Sequence, residues 1–148
     1  MRSFVHKIPL LFVLFAIVLP AQTNNRFTGK WELNVSKSKF SPDPAPKSEM
    51  VTNVDGKTTI EGIDGEGKPF KWSFMPSQGA AVPIEGLENS TVEEKISGNT
   101  LDHTWKIAGG NVHGHGVLSK DGKTLHYTQS GKDGQGRQVN DLFIFEKQ

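Results

Sequence analysis

Four histidines lie beyond the first twenty-one residues: His103, His113, His115 and His126. His113-Gly-His115 has i, i+2 spacing, which in a strand puts both imidazoles on one face. Such a pair can ligate a metal or share a proton, but two imidazoles make a weak site. His103, His126 or a carboxylate would have to join from a neighbouring strand. A Glu three or four residues on would complete such a set, and Leu118 and Ser119 hold those places. Val112, Gly114, Gly116 and Leu118 share the opposite face, so the alternation leaves open which face is buried. Surface histidines are the preferred reading; no metal is assigned, and His113 and His115 are the weaker candidates for one. A His-based enzyme or metal-binding barrel remains the third of three functional readings.

Other chemistry is thinly represented. The chain has no Cys, which excludes disulfides, thiolate metal sites and a Cys nucleophile. A net charge near +1 makes no basic face for nucleic acid. There is no Gly-x-Ser-x-Gly elbow, no phosphate-binding loop and no His-Glu-x-x-His helix. Gly131-Lys-Asp-Gly-Gln-Gly136 opens no helix and reads as a turn. Glu93 and Glu94 point to opposite faces of a strand and are no catalytic pair by themselves. No catalytic residue and no cofactor is assigned.

The remaining chemistry-bearing residues are aromatic, and they alternate. Trp31, Leu33 and Val35 share a face, as do Phe70, Trp72 and Phe74, and Leu101, His103, Trp105 and Ile107. Period two with one polar side marks a half-buried antiparallel strand. Turn signals recur at Asp55-Gly56, Asp64-Gly65, Pro76 to Gly79, Gly86 to Asn89, Gly98-Asn99, Gly109-Gly110, Asp121-Gly122 and Asp133-Gly134. Such spacing is that of an all-β sandwich or barrel. Ten strands are predicted, near 28–35, 48–54, 57–63, 68–75, 80–87, 90–96, 100–107, 111–118, 123–129 and 138–146. Pro83 and Gly86 make 80–87 the weakest of them. Short turns favour an antiparallel up-and-down meander barrel of about 8–10 strands over a Greek key. Residues 36–47, SKSKFSPDPAPK, have Pro at alternate positions, which forbids a regular helix and stiffens the crossing between the first two strands.

The first 21 residues, MRSFVHKIPLLFVLFAIVLPA, carry a basic head, a short apolar run and a small residue for cleavage. That is the pattern of a signal peptide, and the run is shorter than the ~20 residues that span a bilayer. The expected organisation is a signal peptide over 1–21 and one domain over 22–148, exported to the periplasm or the medium, with no membrane span in the mature protein. Losing Arg2 and Lys7 leaves 15 basic against 16 acidic side chains. The apolar share falls from 34% to 36 of 127 residues. So sparse a set of large apolar side chains should leave a ten-strand barrel with room inside.

Phe27-Thr-Gly-Lys-Trp-Glu-Leu-Asn-Val-Ser36 resembles the opening strand of the calycins, with Gly29-Lys30-Trp31 as the Gly-x-Trp signature of lipocalins and fatty-acid-binding proteins. Lys120-Asp-Gly-Lys-Thr-Leu125 and a last strand ending Phe145-Glu146-Lys147 resemble the closing part of the fatty-acid-binding branch. The whole is similar to exported bacterial lipocalin-like proteins of unassigned function. The resemblance implies a calycin barrel with one internal ligand site. It also implies an inward Arg-x-Tyr on the last strand to grip a carboxylate. Here the matching positions read Phe143-Ile144-Phe145, and the Pro-rich stretch replaces the family's helical lid.

Trp31 is expected to plug one end. Phe70, Trp72, Phe74, His103, Trp105, Tyr127, Phe143 and Phe145 are the other ligand-cavity candidates. The leading reading is an exported monomer holding a small hydrophobic or amphipathic molecule. The second is a secreted β-domain that binds protein partners without a cavity, with the Pro-rich 41–46 as its surface.

Overall fold

The computed structural model describes residues 25–148, so the expected leader and its cleavage point lie outside the described residues. Ten antiparallel strands follow one another: β1 (Gly29–Leu33), β2 (Ser48–Val54), β3 (Lys57–Ile63), β4 (Pro69–Phe74), β5 (Val82–Pro83), β6 (Thr91–Ser97), β7 (Thr100–Lys106), β8 (Asn111–Leu118), β9 (Thr124–Lys132) and β10 (Gln138–Lys147). Their order in the sheet is β4-β3-β2-β1-β10-β9-β8-β7-β6-β5, a meander in which the first strand pairs with the last. The expected all-β barrel is what the chain forms.

The hairpins are short because the turn residues permit it. Val54 pairs with Lys57 across Asp55 and Gly56, whose φ values of 52° and 75° suit a two-residue turn of the twisted kind that strands favour. The expected strand over 80–87 shrinks to two residues. Pro83 has no N–H to donate, and the chain turns again by Gly86. The sheet edges nevertheless meet. Ser73 and Glu85 exchange two backbone hydrogen bonds of 3.0 and 2.8 Å, and Glu85 also accepts from the Ser73 hydroxyl at 2.9 Å. This seam closes the barrel almost completely, leaving little unpaired edge.

Alternation sorts the side chains. One buried cluster, with Phe27, Trp31, Leu101, Leu118, Leu125 and Phe145, fills one end of the barrel. A second, with Ile60, Phe74, Ile84, Val92 and Trp105, lines the wall beside the seam. Trp31 is 2% exposed and donates its Nε1–H to the Phe27 carbonyl at 2.8 Å, so it is the expected plug.

The opposite end is crossed by the Pro-rich segment. One 3-10 turn, Val35–Lys37, is capped by the Asn34 side chain, and no helical lid forms. The segment is then tied to β10. Lys39 bridges Leu142, the Asn140 N–H donates to the Ser41 carbonyl at 2.8 Å, and the Ser41 N–H donates to Asp141 at 2.9 Å.

β8 has glycine where its neighbours carry inward side chains. A Cβ on Gly114 would overlap the Tyr127 hydroxyl and ring, so Tyr127 can lie flat only over a bare backbone. Gly114→Ala is expected to cost about 1–3 kcal/mol as overpacking, read as a lower urea midpoint at unchanged slope.

Candidate functional site

The strands enclose a cavity of about 590 Å³. Its floor is the Trp31 end. Its upper lining includes Asp43 from the Pro-rich segment, Ile107, Ala108 and Gly110, and Asp133, Gly134, Gln135 and Arg137. Of the nine residues proposed from sequence, Trp31, Trp72, Phe74, His103, Trp105, Tyr127, Phe143 and Phe145 line it. Phe70 does not; it is half-buried and packs against the wall cluster near the start of β4.

The aromatic rings brace one another. Trp105 meets Trp72 at 5.5 Å and Phe74 at 5.6 Å between centroids, both edge to face. Phe143 stacks parallel to Phe145 at 5.9 Å and takes the edge of Phe40 at 5.0 Å. Such pairs are each worth about 0.5–1.5 kcal/mol beyond the area they bury.

A polar chain runs through this apolar wall. The Trp105 Nε1–H donates to the Tyr127 hydroxyl at 2.7 Å. Tyr127 sits 2.9 Å from His103 Nδ1, and His103 Nε2 sits 3.0 Å from Glu94. Indole only donates, so one proton order satisfies the chain with a neutral imidazole: Tyr127 donates to Nδ1, and Nε2–H donates to Glu94. Burial pushes the Tyr127 phenol far above its ordinary value, against the hydrogen bonds from Trp105 and Gln129 and with the nearby Glu49 and Glu94 carboxylates. Such a phenol keeps its proton and acts as a hydrogen-bond hub.

Glu94 had a legible signal. It shares a strand face with Val92 and Ile96, and the Gly98-Asn99 turn sets it opposite His103. Glu49 and Asp141, by contrast, were missed. Both line the cavity. Desolvation, then the charge of Asp141, raises Glu49 from 4.5 to about 7. Asp141 is also raised, by desolvation first and by Asp43 beyond it, while the Ser41 N–H lowers it. At the upper end the Arg137 guanidinium spans Asp133 at 2.7 Å and Asp43 at 2.9 Å, fastening the Pro-rich segment to the β9–β10 turn.

The remaining histidines do not join His103. His113, His115 and His126 are exposed on the outer face, while His103 points inward. The idea that neighbouring strands gather all four fails on strand alternation alone. His115 instead pairs with Asp102 across the outer sheet surface. Among the described residues, no three His, Asp or Glu side chains are placed to share a metal ion.

Neither a family model nor a curated protein matches the chain. Solved structures do. The fluorescent protein UnaG superposes with a TM-score of 0.51 at 14% identity, over 83% of this chain and 98% of that one. Fatty-acid-binding protein 1 of Echinococcus granulosus gives 0.52 at 12% identity, over 82% and 97%. The Schistosoma mansoni fatty-acid-binding protein, solved with arachidonic acid, gives 0.51 at 14% identity, over 84% and 97%. The chain therefore shares the antiparallel β-barrel fold of these proteins, at identities that carry the fold alone and leave the ligand to be read from this cavity.

Proposed function

We propose that the protein is a binding protein that holds an apolar or amphipathic small molecule inside the barrel, exported after loss of residues 1–21. The observation that carries the binding reading is the cavity. At about 590 Å³ it is of the size of pockets that enclose a small organic ligand, and apolar side chains, eight of them aromatic, make most of its wall. Similar barrels include one solved with arachidonic acid, which supports a lipid-sized occupant. The protein-interaction reading has less to stand on. The seam at Ser73 and Glu85 removes the edge a partner strand would extend, and the Pro-rich segment is spent on tying itself to β10. A His-based reaction lacks a gathered histidine set, and the inward His103 is held between Glu94 and Tyr127.

One preparation tests both parts. The full chain is produced in an exporting bacterial host and recovered from periplasm and medium. The expected intact mass lacks about 21 residues, as a cleaved leader requires. Titration with the neutral dye N-phenyl-1-naphthylamine should give one saturable site of roughly micromolar Kd, with energy transfer from Trp72 and Trp105. Retention of the full-length mass in the cytoplasm overturns export; absence of saturable dye binding overturns the cavity reading.

A further inference from the structure

We propose that the occupant carries a neutral hydroxyl or N–H donor that docks on the Glu94 carboxylate, with its apolar body against the rings of Phe74 and Trp105. This rests on the binding reading above and specifies its chemistry.

The polar chain in the wall has a direction. The Trp105 indole can only donate, Tyr127 passes a proton toward His103, and the imidazole passes one toward Glu94. Every donor therefore points toward β6, and the chain ends on a group that only accepts. Such chains polarise along their length, which strengthens the last acceptor. The His103 contact uses Glu94 Oε2, at 3.0 Å. Among the described residues, Oε1 has no hydrogen-bond partner. Nor is it sealed in, since the Thr58 hydroxyl oxygen is the one enclosed side-chain polar atom left without a partner there. The Glu94 side chain is only 7% exposed and lines the cavity, so Oε1 opens onto the ligand space.

Stability does not account for a polar pair at this place. Val92 precedes Glu94 on the same strand face and is fully buried, and the rings of Trp105 and Phe74 stand 4.6 and 6.1 Å from the imidazole. In such a wall, two well-packed apolar side chains are commonly as stable as a buried acid–imidazole pair. What the pair adds is a fixed acceptor in an otherwise apolar wall. His103 holds one carboxylate oxygen and thereby sets the position of the other.

The chemistry of the acceptor selects the partner. A ligand carboxylate brings no proton and places like charge against Glu94. A ligand ammonium must shed its own hydration to enter. A neutral hydroxyl or N–H supplies the missing donor at the least desolvation cost, and its apolar remainder extends the ring cluster.

The test uses the protein prepared as above, with N-phenyl-1-naphthylamine bound. The dye is displaced at neutral pH by 2-naphthol, 2-methoxynaphthalene and 2-naphthoate. The three share one ring system and present a donor, an acceptor without a donor, and an anion. The naphthol should bind about tenfold more tightly than its methyl ether, and the naphthoate should be weakest. In Glu94→Gln the amide oxygen takes the His103 Nε2–H, so the amide N–H turns to the cavity and serves either neutral oxygen. The naphthol-to-ether ratio should then fall to near one, with the ether's own affinity reporting a folded cavity. A ratio that stays high in Glu94→Gln reflects shape alone and overturns the donor assignment. So does an ether or naphthoate that matches the naphthol in the wild type, a comparison that needs no variant. Either result leaves the cavity reading intact. Failure of the dye and of all three probes to bind overturns both.

Discussion

Glu94→Ala is expected to lower the unfolding free energy by about 3 kcal/mol, the largest single loss anticipated here outside the aromatic wall. The substitution removes few apolar contacts. Its cost comes from stranding the His103 Nε2–H, which is buried and has no other partner within reach. Glu94→Leu/His103→Leu should recover most of the loss, because both members of the pair are then replaced by apolar volume. The residue of the loss belongs to Tyr127, whose hydroxyl still accepts from Trp105 but no longer has an imidazole to donate to. A double-mutant cycle in urea reads the coupling directly. If the double variant loses as much as the two single losses added together, or more, Glu94 and His103 do not act as a pair.

Glu49→Gln should do the opposite: in ligand-free protein it should stabilise, and only at higher pH. Folded Glu49 holds its proton up to about pH 7, whereas an unfolded glutamate releases it near 4.5. Between those values the folded state binds more protons than the unfolded one, so stability falls as pH rises and the loss is complete above 7. Gln carries no charge in either state and escapes that loss. Water reaching the cavity reduces the effect below the full shift, and about 1–2 kcal/mol of stabilisation at pH 8 is expected, vanishing by pH 4. Thermal midpoints of wild type and variant at the two pH values check it. A variant that melts lower than wild type at pH 8 would mean that the carboxylate is paired in solution.

The fold was written plainly in the turns. Most strands run within a few residues of the stretches between Gly-containing turns, because a hairpin is a local structure. β5 was overextended because hydrophobicity at Ala80, Ala81 and Val82 masks what Pro83 forbids. The aromatic face of β4 and β7 was equally legible, since polar residues alternate cleanly with Trp72, Phe74 and Trp105. The acidic pair was not. In β2, Glu49, Val51 and Asn53 share one face and Met50, Thr52 and Val54 the other, so neither face is the apolar one. In β10, Asp141 shares its face with Val139, Phe143 and Phe145, while Leu142 and Ile144 make the reverse face apolar too. Alternation identifies a polar residue as outward only where the opposite face is distinctly apolar. Residues that face a cavity break that rule because the cavity is a solvent of its own.

The pairing of β1 with β10 has a temporal consequence. Trp31 lies opposite Lys147, at the far end of the described chain from it in sequence. The strand that carries the barrel's plug therefore has one flank empty until β10 has been made. Contacts this distant in sequence are slow to form, and loop closure must be achieved before they reward it. Hairpins in the middle of the chain can assemble during synthesis, but the ring cannot close around a nascent chain. The newly made polypeptide stays open for longer than a helical bundle of the same length.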